Sequence, residues 1–135
     1  MAILVDTGVL YALADADDRW HERARSWLDD VRDLLLVPVT ILPEVAYLLQ
    51  TRLGPAVERR FVRSLATGEL DVEPLKPVDI KRAFELMGGY PDLGFVDLSM
   101  VAMAERLKVT TLATTDRRHL SRVTPKHVAS FTLVP

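Results

Sequence analysis

Asp6, Glu44, Asp97 and Asp116 each stand where an apolar run gives way to the next segment of the chain. Asp6 follows AILV, Asp116 ends the β-branched run Val109 to Thr115, and Glu44 and Asp97 fall just inside helical stretches. Two carboxylates about 5 Å apart repel by about 3 kcal/mol at an effective dielectric of about 20. Four together call for a cation, because raised pKa values relieve only part of that repulsion. Oxygen-only donors suit the hard ions Mg²⁺ and Mn²⁺, whereas zinc brings cysteine or histidine. The chain has no cysteine, and its histidines, His21, His119 and His127, form no spaced pair. A hard divalent ion supplies an activated water and neutralises charge on a phosphoryl group, so the chemistry indicated is metal-assisted phosphodiester hydrolysis.

The elements must carry these acids to one edge. Ala2 to Val5 reads as a strand buried on both faces, Leu34 to Val37 as a second apolar strand and Val109 to Thr115 as a β-branched strand. Leu70 and Val72 alternate with acids as in a short half-wet strand, and Val128 to Val134 reads as a final edge strand. Between them the patterns predict helical pieces over Thr7–Ala14, Arg19–Asp30, Thr40–Leu53, Ala56–Ala66, Pro77–Met87 and Phe95–Leu107. On the second, Trp20, Ala24, Trp27, Leu28 and Val31 make one buried face, so both tryptophans read as core rather than stacking platforms. Arg117 to Ser121 reads as a brief turn or helix. This alternation indicates an α/β fold, with helices on both faces of a central, mostly parallel five-stranded sheet. In such sheets ligands bind beyond the carboxyl ends of the strands, where the strand order reverses. All four acids map to that edge. Asp97 and Asp116 meet there because a helix feeding straight into a parallel strand runs back over it.

Taken singly, each acid has a plainer explanation. Asp6 could cap the next helix, Asp97 and Glu44 complement a helix dipole for about 0.3–1 kcal/mol each, and Asp116 could be a turn residue. The dipole does not explain an acid set among Phe95, Val96, Val101 and Ala104. Four acids from four elements at one predicted site favour the metal-binding reading.

The ordered set also resembles a known family. Val5-Asp6-Thr7, Pro43-Glu44-Val45, Val96-Asp97-Leu98-Ser99 leading into Ala102-Met103-Ala104-Glu105, and Thr114-Thr115-Asp116 are similar in order and spacing to the PIN domain. The segment Asp92 to Asp97 and the chain length resemble the VapC-type toxins of bacterial toxin–antitoxin pairs. The resemblance implies a three-layer α/β/α domain over residues 1–135 and a Mg²⁺- or Mn²⁺-dependent endoribonuclease. It further implies a homodimer inhibited by a VapB-type antitoxin, whose apolar segment would lie near Tyr11 to Trp27. Asp6, Glu44, Asp97 and Asp116 then become the metal-binding acids, and Thr7 and Thr114 supporting hydroxyls. Leu120 departs from the phenylalanine common in the family, which touches packing rather than chemistry.

Asp92 reads as a helix cap or as support for the site from outside it, with the cap preferred. Arg117 and Arg118, directly after Asp116, are candidates to hold a substrate phosphate. Arg59, Arg60 and Arg63 share a helix face and are weaker candidates, since surface helices often carry such trios without function. The remaining acids, Asp15, Asp17, Asp18, Asp29, Asp30 and Asp33, read as solvated surface.

At 135 residues, 49% hydrophobic and 27% charged, the chain has the size and balance of one soluble domain. It shows neither an apolar run of membrane-spanning length nor a basic leader, so a cytoplasmic protein without membrane partners is expected. The net charge of −2 gives no global field for RNA, and local arginines and bound cations must attract it. The rival readings are a PIN nuclease of RNA maturation without an antitoxin, a phospho-acceptor signalling domain and a non-catalytic binding module. The signalling fold wants paired acids after the first strand and a lysine ending a late one, whereas Val109–Thr115 runs into Asp116. A haloacid-dehalogenase-type phosphatase needs a second aspartate where Gly8 stands.

Overall fold

β-Branched and leucine-rich runs form the strands and set the layers. A computed structural model describes all 135 residues. Its strands are Ala2–Val5 (β1), Leu34–Pro38 (β2), Asp71–Glu73 (β3), Thr111–Ala113 (β4) and Thr132–Val134 (β5). They form one sheet in the order β3-β2-β1-β4-β5. Every pairing is parallel, so the sheet is wholly rather than mostly parallel. The order reverses between β1 and β4, and the crevice beyond their carboxyl ends is the expected ligand position.

The helices are Thr7–Ala14 (α1), His21–Asp30 (α2), Leu42–Leu53 (α3), Pro55–Ala66 (α4), Pro77–Gly89 (α5), Phe95–Leu107 (α6) and Arg117–Leu120 (α7). Side chains alternate across β1 and divide the core. Ile3 and Val5 pack with α1, Ala24 of α2, and Val45 and Leu49 of α3. Leu4 packs on the other face with Ala83 and Leu86 of α5 and with Leu98, Val101 and Ala104 of α6. The result is an α/β/α sandwich. No helix is long and apolar enough to cross a membrane.

Helix α6 is buried from Leu98 through Glu105. Two charged clamps fasten it to α5. Arg82 Nε donates to Glu105 Oε1 at 2.7 Å, and Arg106 Nε donates to Asp79 Oδ1 at 2.8 Å. These clamps hold the element that carries Asp97.

Several boundaries differ from the sequence expectation for identifiable reasons. The β4 strand is shorter than Val109–Thr115: α6 ends on Lys108 in the left-handed region (φ 60°), and Val109 N donates back to Ala104 O at 2.9 Å. At its other end, the Thr114 hydroxyl accepts from Asp116 N and turns the chain out of the sheet. The β5 strand is likewise shorter than Val128–Val134, and its approach is fixed by His127 Nε2, 2.6 Å from Val109 O. The α2 helix begins at His21 rather than Arg19, because Asp18 Oδ1 takes the Trp20 N–H at 2.8 Å in a turn. The expected apolar face of α2 is only partly buried. Ala24 is fully enclosed, Trp20, Trp27 and Val31 are half-buried, and Leu28 is exposed. The buried residue that went unpredicted is His21, whose Nδ1 lies 2.7 Å from Ala12 O.

Candidate active site

Asp6 is the residue next after β1, and its N–H donates to Ala113 O of the neighbouring β4 at 2.8 Å. Its carboxylate is thereby held at the mouth of the switch point. Asp6 Oδ1 accepts from Thr7 N at 2.8 Å and caps α1, while Oδ2 accepts from Thr114 Oγ1 at 3.1 Å. Capping and site membership are both true of Asp6.

Glu44 and Asp97 reach the same cleft from the first turns of α3 and α6. Ser99 Oγ donates to Val96 O at 2.7 Å, leaving its lone pairs to the Thr40 hydroxyl at 2.8 Å. Thr40 lies in the single 3-10 turn, Val39–Ile41, that leads into α3. This buried bridge pins the start of α3 to the start of α6, and so fixes Glu44 relative to Asp97. Asp116 follows β4, where its backbone N–H donates to Thr114 Oγ1 at 2.9 Å.

Asp6, Glu44, Asp97 and Asp116 line one cleft of about 440 Å³, with Thr7, Gly8 and Thr115 on its walls. Burial chiefly, then the charges of Asp97 and Glu44, raise Asp6 to about 6 against the hydrogen bonds from Thr7 and Thr114. Burial and the charges of Asp116 and Glu44 also raise Asp97, opposed by His119. The four acids therefore feel one another's fields. They do not close round a point, however, because no group of three or more Asp, Glu, His or Cys side chains stands ready to ligate one ion. The four share an edge and a cleft, as their positions in the sequence predict, without converging on one ion's coordination sphere. Asp6 is held by Thr7 and Thr114, and Asp116 turns toward α7, where His119 Nδ1 lies 2.9 Å from its Oδ2.

The donor set is nevertheless chemically suited to a hard divalent ion. It is all oxygen, it includes a carboxylate whose ionisation is disfavoured, and beside it the buried Thr7 Oγ1 has no hydrogen-bond partner. Mg²⁺ keeps several waters and needs only one or two carboxylates, so a closed cage is not required.

Asp92 is not the cap of α6. Gly94 caps α6 without a side-chain bond. Asp92 instead sits exposed in an ion pair with Arg122, at 2.7 and 3.1 Å. Arg117 is half-buried against Trp20, Arg118 is exposed, and Arg59, Arg60 and Arg63 line a shallow hollow on α4 that contains none of the four acids.

Sequence reasoning missed the Thr40–Ser99 bridge, although a lone serine inside the apolar FVDLSMVAMA signals a buried hydroxyl in need of a partner. It also missed the purpose of Gly8. A Cβ there would stand 2.0 Å from Thr115 Oγ1, so α1 can approach the end of β4 only without a side chain.

An all-parallel α/β/α sandwich with four carboxylates gathered at its switch point is the class that the fold and cleft define. The sequence profile of the PIN domain matches residues 3–125, and the chain belongs to that family. It is 31% identical to Ribonuclease VapC26 of Mycobacterium tuberculosis over 98% of this chain and 100% of that protein. Among solved structures it is similar to Mycobacterium tuberculosis VapC20, described as a Sarcin-Ricin loop cleaving toxin, with a TM-score of 0.79 at 20% identity over 87% of this chain and 92% of the other. It is also similar to a toxin–antitoxin complex from Klebsiella pneumoniae, with a TM-score of 0.71 at 20% identity over 93% and 99% of the two chains.

Proposed function

We propose that this chain is a Mg²⁺- or Mn²⁺-dependent endoribonuclease, the toxin of a VapBC-type pair, and that residues 1–135 act as one domain. The observation that carries the proposal is the single cleft shared by Asp6, Glu44, Asp97 and Asp116. Support comes from the 31% identity to a named VapC ribonuclease along the whole chain.

Asp6, Glu44, Asp97 and Asp116 would serve as ligands or ligand-orienting acids, one or two of them touching the ion directly and the others its waters, with the Thr7 hydroxyl beside them. A bound divalent cation supplies positive charge against the acids and against charge developing on the phosphoryl oxygens. Asp6 is fixed by Thr7 and Thr114 and acts as the rigid anchor of the set. No hydrogen bond contributes to the raised pKa of Asp97. Its carboxylate is thus available to orient the attacking water and accept its proton. Asp116 is oriented by His119, whose Nδ1 lies 2.9 Å from its Oδ2.

An apolar hollow of about 460 Å³, lined by Leu10, Leu13, Trp27, Val57 and Phe61, lies between α1, α2 and α4. It falls in the Tyr11–Trp27 region and suits an apolar antitoxin segment. A similar fold is found in DNA-bound VapBC from Salmonella typhimurium, with a TM-score of 0.70 at 12% identity over 98% of this chain and 96% of that chain. For the homodimer, Ile80, Phe84 and Met87 form an exposed apolar stripe on α5 at spacings of four and three, with Phe84 77% exposed.

The test is Mg²⁺-dependent cleavage of RNA by the purified chain beside Asp6→Asn and Asp97→Asn. Both variants should remain folded and lose cleavage by at least about a hundredfold, as expected when charge stabilisation at the reacting centre is removed. Undiminished cleavage in both overturns the assignment.

A further inference from the structure

Trp20 carries three guanidinium groups. The Cζ atoms of Arg23, Arg117 and Arg19 lie 4.9, 5.6 and 6.0 Å from the centre of its indole ring. Energetically significant contacts of this kind occur about once per 70–80 residues, so about two are expected in a chain this long, and not three on one ring. None of the three arginines forms an ion pair with an Asp or Glu side chain. Three like charges therefore lie round one aromatic ring with no Asp or Glu side chain at ion-pair distance, in a chain whose net charge is −2.

The position of this cluster is set by the fold. Arg117 directly follows Asp116, a wall of the acid cleft, while Arg19 precedes Trp20 and Arg23 lies in the first turn of α2. Arg117 is anchored by a bond from its guanidinium to the Pro135 carbonyl oxygen, yet its Nε is buried without an acceptor. Arg117 therefore offers a phosphate its charge and its remaining Nη1, whereas the exposed Arg23 makes no hydrogen bond and keeps its planar fork free for bidentate bonding.

We propose that Arg23 and Arg117, held on Trp20 with Arg19 beside them, form the cradle for the phosphodiester backbone of single-stranded RNA entering the acid cleft. The proposal rests on the ribonuclease assignment and names the surface that feeds it. It extends the expectation for Arg117 to α2 and gives Trp20 a role as platform. The indole sets the spacing of the two guanidinium groups and need not stack a base. Arg118 and the α4 arginines lack such a platform.

The experiment measures binding of a fluorescein-labelled single-stranded RNA by anisotropy across a KCl series, with Asp97→Asn in every protein to prevent cleavage. Adding R23Q/R117Q should weaken binding at least tenfold. It should also reduce the slope of log K against log[KCl] by about 1.4, that is, about 0.7 for each lost contact to a single strand. R23K/R117K should keep the salt slope while losing affinity, since lysine retains charge but not the planar fork. R32Q/K81Q, which removes two positive charges elsewhere, should leave affinity within twofold. Should the glutamine pair fail to melt like its parent, R23Q alone on the exposed Arg23 carries the same prediction, with a slope change of about 0.7. An unchanged slope, or an equal loss in R32Q/K81Q, overturns the cradle. So does displacement of the RNA by a polyglutamate peptide at equal affinity, which would mark the patch as a docking face for acidic protein. Absence of Mg²⁺-dependent cleavage by the unmutated chain is a separate result and sinks the ribonuclease assignment instead.

Discussion

One hydroxyl ties the first acid of the cleft to the last. Thr114 Oγ1 donates to Asp6 Oδ2 at 3.1 Å and accepts from Asp116 N at 2.9 Å, joining positions more than a hundred residues apart in sequence. Thr114 is fully buried, so no solvent competes for either bond. The Thr40–Ser99 pair joins the starts of α3 and α6, the helices that carry Glu44 and Asp97, without touching either acid. Each half of the candidate site thus has a hydroxyl-mediated link behind it, one between the acids themselves and one between the helices that carry them.

Thr114→Val keeps the shape and removes both bonds. Asp116 N, only partly buried, loses its acceptor, at a cost toward the lower end of about 1–3 kcal/mol for an unsatisfied buried donor. Asp6 loses one of the two hydrogen bonds that favour its ionised form, and its pKa should move further up. The expected outcome is a folded protein with a lower melting temperature and cleavage reduced by about 10–100-fold, the usual effect of losing a partner that orients a ligand. Unchanged activity at saturating Mg²⁺ would show that Thr114 only packs.

Metal-free protein should be most stable at mildly acidic pH. The folded-state pKa of Asp6, about 6, lies above its ordinary value of 3.8, so folding disfavours the charged form. Its contribution is fully present below about pH 4 and is lost as pH rises through about 6, a change of up to about 3 kcal/mol. Asp97, raised for similar reasons, acts in the same direction. Denaturation in EDTA between pH 4 and 7.5 should show this loss, Asp6→Asn should flatten it, and Mg²⁺ should restore stability at pH 7.5 more than at pH 5. A profile identical in the Asp6→Asn protein would remove Asp6 as its source.

The parallel α/β layout and the cleft's four acids were legible because they depend on patterns local to each element. Apolar runs bounded by Asp6, Pro38 and Gly54 announce strands and helices, and the parallel topology then sends the strand ends to one edge. Interactions between distant segments were not legible. Asp92 looks like a helix cap in sequence because its neighbour at Arg122 is thirty positions away, and that bidentate pair won. Trp20 shares a helical period with Ala24 and Trp27, yet α2 starts after it, and the ring sits between core and guanidinium groups. Strand lengths failed where the turn chemistry of Lys108 and the Thr114 hydroxyl cut β4 at both ends.

Phe84 is 77% exposed on α5, with Ile80 and Met87 beside it on the same stripe. Phe84→Glu should leave the monomer fold intact, because the ring is outside the core, and should abolish self-association. Sedimentation at micromolar concentration is the check, and a Phe84→Glu protein that still sediments as a dimer would move the interface elsewhere.

The Arg82–Glu105 clamp predicts an asymmetry between removing one partner and removing both. Glu105 is 8% exposed, and its carboxylate receives Arg82 Nε and Nη2 at 2.7 and 3.2 Å and Lys126 N at 2.8 Å. Burial alone would raise its pKa, but these bonds outweigh burial and hold it below the usual glutamate value. Arg82→Met leaves a buried charge with one backbone donor and should destabilise by about 3 kcal/mol, the lower end for a broken buried pair because Arg82 is partly exposed. Arg82→Met with Glu105→Leu should recover much of that loss. Because the folded pKa of Glu105 is depressed, its stabilisation is present above about pH 4.5, and is lost as pH falls through the folded value. The gap between wild type and Arg82→Met should therefore narrow in denaturation curves taken at pH 3. A gap as wide at pH 3 as at pH 7 would mean that Arg82 stabilises through its packing on α6 and not through its charge.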